Sequence, residues 1–513
     1  MKNESLKKKR EIKRTSLFNA VRRKTILKVF GLTFSLILAG ISSILIWEIF
    51  IEGNILNGNY NENPIDNPDS INDNDAIHIA IGGNDNYPGT REFPVKTITR
   101  GLYLAELLNK KYVAISKGIY NLSDTLELID GISLYGGYDS SSLWQWSKNN
   151  KVIFQVNHTI AVLANNINTE TVLNSLYIRG NNASKYGEST YGVMCNNSDM
   201  LKLINCTIGA GVPMEGVNGT SYEGNPASKG PNGSFGDPGV EDGGPFCSEA
   251  PQPQGGSGGV AFHGNDGGDG GDAGRDDNYG FNGSPGSGGA FGGQGTPHGQ
   301  GDWNPTLQYC GDNGTDGNNG NNGTNGSIGT FLPSGFVISN GTKGENGEPG
   351  HGGGGGGGGG GGTLDCNSYG GGGGGGASIA LYLWNSDIEV NKCILIAKKG
   401  GSGGNGGLGQ KGGSGGIGGW GGNPSKLNAG NPYGGAADQD DASNGGRGGN
   451  GGKGGNGGHG GAGSGGHSIG ILKGGTSAPS LKNIVYDINL AGKGGFSPLG
   501  VGLEGFSSNI YIA

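Results

Sequence analysis

Hydrophobic side chains, charge and cysteine are all scarce in this chain of 513 residues. Hydrophobic residues make up 32% and charged residues 15%, against norms of about 45–50% (a figure that counts glycine) and about 25%. So thin a supply of apolar material excludes one large, conventionally packed enzyme. The formal net charge of -8 is small for this length, which excludes a chain kept disordered by self-repulsion. The acidic balance excludes a basic body built to bind nucleic acid, and no such partner is expected. What is abundant is glycine, 118 residues, where about 7% is usual. The chain reads as a mosaic of an ordered apolar part and long glycine-rich parts.

The longest apolar run lies near the start. Residues 1–28 form a basic tail carrying Lys7, Lys8, Lys9, Arg10, Lys13, Arg14, Arg22, Arg23, Lys24 and Lys28. Residues 29–51, VFGLTFSLILAGISSILIWEIFI, are interrupted by a single charge, Glu48. About 20 apolar residues rising 1.5 Å each cross a hydrocarbon core of about 30 Å. The basic flank keeps the N-terminus cytoplasmic. The expectation is therefore a single-pass membrane protein, in contact with lipid through 29–51 and with its C-terminal region extracellular. A cleaved export signal is the alternative; its apolar core and basic region are usually shorter. Residues 52–75, rich in Asn, Asp, Glu and Pro, read as a flexible spacer.

From residue 76 the texture changes. Short apolar runs bounded by turn residues recur: Tyr112–Ile115, Ile132–Tyr135, Val152–Gln155, Leu173–Ile178 and Leu201–Ile208. Runs of this length are strands rather than helices. Lys96–Asn109 has apolar residues at helical spacing and predicts one short helix. A pattern also repeats far along the chain. Cys195–Ile208 reads CNNSDMLKLINCTI, Trp384–Ile396 reads WNSDIEVNKCILI, and Gly475–Tyr486 is a looser copy. A repeated strand–turn–strand unit that cannot bury its own apolar face implies a solenoid. The fold expected is all-β, a parallel β-helix with one capping helix. Its pieces are 76–208, 377–396 and 467–513, with glycine-rich insertions at 209–376 and 397–466.

Three stretches carry a family resemblance: Ile77–Lys96, Tyr112–Asn121 and Leu126–Asp139. Together they resemble the opening coils of right-handed parallel β-helix proteins of the pectin-lyase-like type. The likeness is strongest to uncharacterised secreted members with Gly83-Asn84-Asp85, Pro88-Gly89-Thr90 and Pro94-Val95-Lys96-Thr97-Ile98 in this order. The resemblance implies a first strand, a capping helix and then three-sided coils. It implies little about activity, since one fold hosts many.

The glycine is patterned. Gly311, Gly314, Gly317, Gly320, Gly323, Gly326 and Gly329 keep a period of three, as do Gly341, Gly344, Gly347 and Gly350. Residues 445–461 repeat Gly-Gly-x. A period of three suits an extended helix with three residues per turn. A collagen-like trimer shares the period but needs abundant proline, and these runs carry Asn, Asp and Thr instead. Two arrangements stay open: an ordered bundle of polyglycine-II-like helices, or flexible loops, because glycine loses the most entropy on ordering.

Candidate chemistry is sparse. The six cysteines lie in the exported part, where disulfides are permitted. Cys247 and Cys310 are the disulfide candidates, while Cys206 and Cys393 read as stacked free thiols in a core. Asn205, although in an Asn-x-Thr sequence, falls inside an expected strand. Asp266, Asp269 and Asp272 in GNDGGDGGD are weak metal candidates for calcium, otherwise no cofactor is expected. On a three-per-turn helix they would stand about 9 Å apart, too far to share one ion. Trp144 and Trp146 are candidates for stacking on sugar rings. Asp276-Asp277, Asp440-Asp441, His351 and His459 fall in glycine-rich sequence rather than on coils, and no catalytic residue is assigned. The expected function is structural or adhesive, with a surface polysaccharide or another cell-surface protein as partner. The alternatives are a polysaccharide lyase or hydrolase, and an ice- or surface-binding protein.

Overall fold

The computed structural model describes residues 71–222, 224–237, 252–261, 265–272, 280–287, 289–291, 311–352, 370–419 and 448–513. The basic tail, the apolar run 29–51, most of the spacer, and Cys247 and Cys310 lie outside the described residues. Among the described residues no helix is long and apolar enough to cross a membrane.

Three parallel sheets form the body. Sheet one is built from Ala76–Ile79, Tyr112–Ser116, Ser133–Asp139, Thr171–Asn174, Leu201–Ile204, Glu389–Asn391 and Ser480–Lys482, with Gln145–Trp146 paired antiparallel to Ser133–Asp139. Sheet two holds Gly118–Leu122, Val152–Val156, Leu176–Arg179, Thr207–Gly209, Ile394–Ala397 and Val485–Ile488. Sheet three holds Leu126–Glu127, Ile160–Asn165, Thr190–Asn196, Ser378–Trp384, Ser468–Gly474 and Ser507–Ile512. The chain visits sheets one, two and three in turn, coil after coil, which makes this an all-β parallel solenoid.

Each sheet turns one apolar ladder inward. In sheet one Ile77, Val113, Leu134, Leu173, Leu203, Val390 and Leu481 are successive register partners. In sheet two the row is Tyr120, Phe154, Ile178, Ile208, Leu395 and Tyr486. In sheet three it is Leu126, Val162, Val193, Leu381, Ile471 and Ile510. Except near the C-terminal end these side chains are buried in one core. Each contributes about 1.5–3 kcal/mol by leaving water. No isolated coil could hold such a row, so stability is shared between neighbours.

Two corners depart from the sequence expectation. Leu173–Ile178 and Leu201–Ile208 each divide into two strands belonging to different sheets. Ser175, Asn205, Lys392 and Asn483 have φ between 52° and 59° and turn the chain from sheet one to sheet two in a single left-handed residue. Asn205 is thus a corner rather than a strand residue; asparagine tolerates that conformation better than most side chains. The corner between sheets three and one repeats Asn-Ser-Asp. Asn166, Asn197 and Asn385 supply the positive φ. Ser386 Oγ accepts the Ser198 N–H, Ser477 Oγ the Ser386 N–H, and Asp199 the Asp387 N–H. The recurrent motif is therefore a side-chain ladder joining coil to coil.

The helix spans Ile98–Leu107 and buries Ile98, Leu102, Leu104 and Ala105. Thr97 caps it by accepting the Arg100 N–H. Asp85 of the Gly-Asn-Asp motif accepts the N–H groups of Lys96 and Thr97 and the Thr97 hydroxyl. Burial opposes ionisation of Asp85, but these donors outweigh it and hold the carboxyl below its ordinary pKa. The opening motif is thus a capping device.

Candidate functional site

The corner between sheets two and three is where the chain departs from the solenoid. It leaves after Gly209, Ala397 and Ile488 and returns at Ser378, Ser468 and Ser507. Since these are consecutive coils, each excursion starts beside the next. The ladder simply continues outward: Ala210 N–H donates to Ile396 C=O, Gly216 to Ser402, Gly219 to Asn405, Gly400 to Leu490 and Gly403 to Lys493. Returning segments match too, with Gly372 donating to Gly461, Gly375 to Ser464 and Gly465 to Leu503. The first excursion also folds back over sheet three. Its hairpin, Thr330–Leu332 with Gly335–Val337, sets Phe331 and Phe336 against Tyr191, Met194, Tyr382 and Leu472. The Tyr191 hydroxyl accepts the Phe336 N–H, and His467 Nε2 lies 3.1 Å from Ile328 C=O.

Within the glycine-rich segments the bonds recur every third residue, and consecutive residues bond in different directions. Gly457 N–H donates to Gln410 C=O, Gly458 N–H to Glu345 C=O, and His459 N–H to Asn322 Oδ1. That rotation is what an extended helix with three residues per turn produces. It also explains the glycines. A Cβ at Gly455 would sit 1.9 Å from Asn318 O, at Gly458 2.0 Å from Asn321 O, and at Gly412 1.8 Å from Gly454 O. The backbones approach so closely that no side chain fits between them.

The other two positions of each triplet have separate tasks, clearest in 311–329. The residue after each glycine faces the antiparallel segment 340–352. Asn318 donates to Glu348 and Asn321 to Glu345, both at 2.7 Å, and the Thr324 and Thr342 hydroxyls are paired. From Asn313 to Asn325 the Asn or Asp before each glycine forms a two-point clamp. Asn319 Oδ1 accepts the Asn456 N–H at 2.7 Å while Gly320 N–H donates to the Asn456 carbonyl at 2.8 Å. Asn313, Asp316, Asn322 and Asn325 clamp Asn450, Lys453, His459 and Ala462 in the same way. Asn218 clamps Asn405, Asn405 clamps Phe496 and Asn232 clamps Ile417.

Asp266, Asp269 and Asp272 use the antiparallel version. Their Oδ1 atoms accept the N–H groups of Ala261, Gly258 and Gly255. Each carboxylate is thus directed at the neighbouring backbone, the three being separated along the segment. Among the described residues no group of three or more His, Cys, Asp or Glu could hold a metal ion. Cys206 and Cys393 stack at the same corner of adjacent coils, buried and free. Their Sγ atoms lie 3.3 Å from the carbonyls of Leu173 and Leu203. His351 and His459 sit in the glycine bundle, and Asp276, Asp277, Asp440 and Asp441 lie outside the described residues.

Trp144, but not Trp146, borders a cleft of about 480 Å³ at the N-terminal end, lined by Asp73, His78, Arg91, Tyr138 and Leu143 among others. Trp144 is buried, edge-on to His78 at 4.7 Å, and its indole N–H donates to Arg91 C=O. Trp146 is half-buried and donates to Gly136 C=O. Both indoles thus serve packing at this end. Arg91 Nε holds Asp73 at 2.7 Å, and burial lowers the pKa of His78 in spite of the nearby Asp73 carboxylate. Leu143 and Trp144 have φ of 52° and 59°, and Leu143 is 91% exposed. The sequence reading missed this cleft, whose polar residues lie in separate turns, and it missed the clamps. The signal for the clamps was present, as Asn or Asp before glycine at a period of three.

The architecture is that of a parallel β-solenoid with glycine-rich excursions. A family model described as a protein of unknown function (DUF1565) matches residues 81–234. The likeness spans the opening coils and the start of the first glycine-rich segment. No curated protein and no solved structure matches the chain.

Proposed function

We propose that this is a membrane-anchored cell-surface protein with a structural or adhesive role, in which a β-helix holds a polyglycine-II-like bundle rigid for display. The solenoid is taken as right-handed and pectin-lyase-like. Crossovers between parallel strands are right-handed in about 98% of cases, and the matching family is typically of right-handed β-helix type. The observation that carries the reading is the clamp system. Glycine-rich sequence that is hydrogen-bonded in three directions presents a fixed array of Asn, Thr and Asp side chains, a surface suited to a polysaccharide or another cell-surface protein. Residues 29–51 supply the anchor, with the N-terminus cytoplasmic and the solenoid outside.

The test uses intact cells producing the full-length protein. Antibody raised against the glycine-rich segments should bind unpermeabilised cells while the protein stays in the membrane fraction. Cell–cell or cell–polysaccharide attachment should fall when Thr315, Asn318 and Asn321 are replaced by alanine. Recovery of the protein in the soluble cytoplasm, or attachment that is indifferent both to this variant and to loss of the protein, would refute the proposal.

A further inference from the structure

Asn313, Asn319, Asn322 and Asn325 each precede a glycine, and the Asn-Gly step carries an intrinsic reaction. The glycine backbone nitrogen gives up its proton and attacks the asparagine Cγ. A new bond forms between that nitrogen and Cγ, the bond from Cγ to the amide Nδ2 breaks, and ammonia leaves a five-membered succinimide. Water then opens either carbonyl, giving aspartate or isoaspartate. The reaction needs a free glycine nitrogen and an asparagine amide able to swing over it.

The clamp occupies both partners of that reaction. Gly314, Gly320, Gly323 and Gly326 donate their N–H groups to the carbonyls of Asn450, Asn456, His459 and Ala462 at 2.8 Å. The asparagine Oδ1 atoms are held by the N–H groups of the same four residues at 2.7–2.8 Å. An asparagine pinned to the next segment cannot present Cγ to the glycine nitrogen that follows it, and that nitrogen's proton is engaged elsewhere.

We propose that these four steps form a covalent modification site gated by the bundle, closed while 448–467 lies against 311–329 and open when it leaves. The two products have different consequences. Aspartate fits, because Asp316 already stands in this row and accepts the Lys453 N–H at 2.7 Å. Isoaspartate adds a methylene to the backbone, which breaks the three-residue period and displaces every clamp beyond it. Opening is therefore recorded irreversibly, and a segment that has isomerised cannot close again.

The experiment ages the full-length protein in mildly alkaline buffer and maps aspartate and isoaspartate by peptide mass spectrometry. It is run on the folded protein, on the protein in denaturant, and on a Gly455→Val variant, whose added side chain would meet Asn318 O. Hydrogen exchange on the coils verifies that the solenoid is intact. Reaction at the four sites should be slower in the folded protein than in denaturant by at least about tenfold, as expected when it requires local opening. It should approach the denatured rate in Gly455→Val. Equal rates in the folded and denatured protein overturn the proposal. So does a Gly455→Val variant whose bundle amides exchange freely while the four sites remain as inert as in the wild type.

Discussion

Leu203 and Val390 lie side by side in one parallel sheet, although the whole first glycine-rich segment separates them in sequence. Their pairing brings the ends of that segment back to adjacent coils. The glycine-rich segments then inherit their register from the solenoid: Gly216 meets Ser402 because Thr207 meets Ile394. A bundle of bare glycines has few side chains to choose one alignment over another, and the coil stack supplies the choice.

Leu203→Ala should cost about 2–5 kcal/mol, the range for emptying a packed core site. Because the cavity lies in the coil from which the first excursion departs, amide protection should fall in 311–329 and 448–466 as well as in the coils. Urea unfolding with residue-resolved hydrogen exchange measures both. A loss confined to the coils would mean that the bundle orders itself.

His467 predicts a pH dependence. It is fully buried, its Nδ1 accepts the Phe506 N–H, and its ring stacks on Phe506 at 3.9 Å. Burial is the main cause that lowers its pKa to about 4, against an ordinary 6.5, with the Ile328 carbonyl opposing. The unfolded state therefore takes up a proton first as pH falls. Stability is full above about pH 6.5 and declines between 6.5 and 4, by about 3 kcal/mol in all. His78, also lowered, acts in the same sense. Denaturation midpoints across this range should show the slope, and His467→Gln should reduce it.

The buried thiols predict inertness. Burial raises the pKa of Cys195 and holds Cys393 well above the ordinary thiol range. Iodoacetamide applied to the folded protein at pH 8 should leave Cys195, Cys206 and Cys393 unmodified, and should label all three in urea. Rapid labelling of Cys206 or Cys393 in the folded protein would contradict the stack.

The solenoid was legible because its cause is local and periodic. Short apolar runs, the recurring Asn-Ser-Asp turn and the matched Cys206 and Cys393 all follow from coils stacking in register. The corners at Ser175 and Asn205 were not legible, since a single left-handed residue leaves the apolar run unbroken. The bundle was half legible. A period of three fixes the helix type, but flexible and ordered glycine share it, and what decides between them is the asparagine or aspartate before each glycine. Those residues read as solvated polar sequence until a neighbour is placed beside them. The cleft at His78 joins residues from separate turns and left no local pattern.

The clamp makes a prediction that separates geometry from composition. Asn322 accepts one neighbouring N–H, so Asn322→Ala removes a single hydrogen bond and should cost about 0.5–1.5 kcal/mol. Asn322→Asp keeps the acceptor, and Asp316 already performs the same task in the same row, so it should be nearly neutral. Gly323→Ala changes only a methyl, but its Cβ would lie 2.0 Å from Thr342 O. It should cost more than either, about 1–3 kcal/mol from overpacking, and should strip protection from the amides of 340–352. If polar composition alone ordered these segments, the alanine at Gly323 would be the mildest of the three and the aspartate no better than the alanine at Asn322. Hydrogen exchange of the three variants, read at the amides of His459 and Glu345, distinguishes the two accounts.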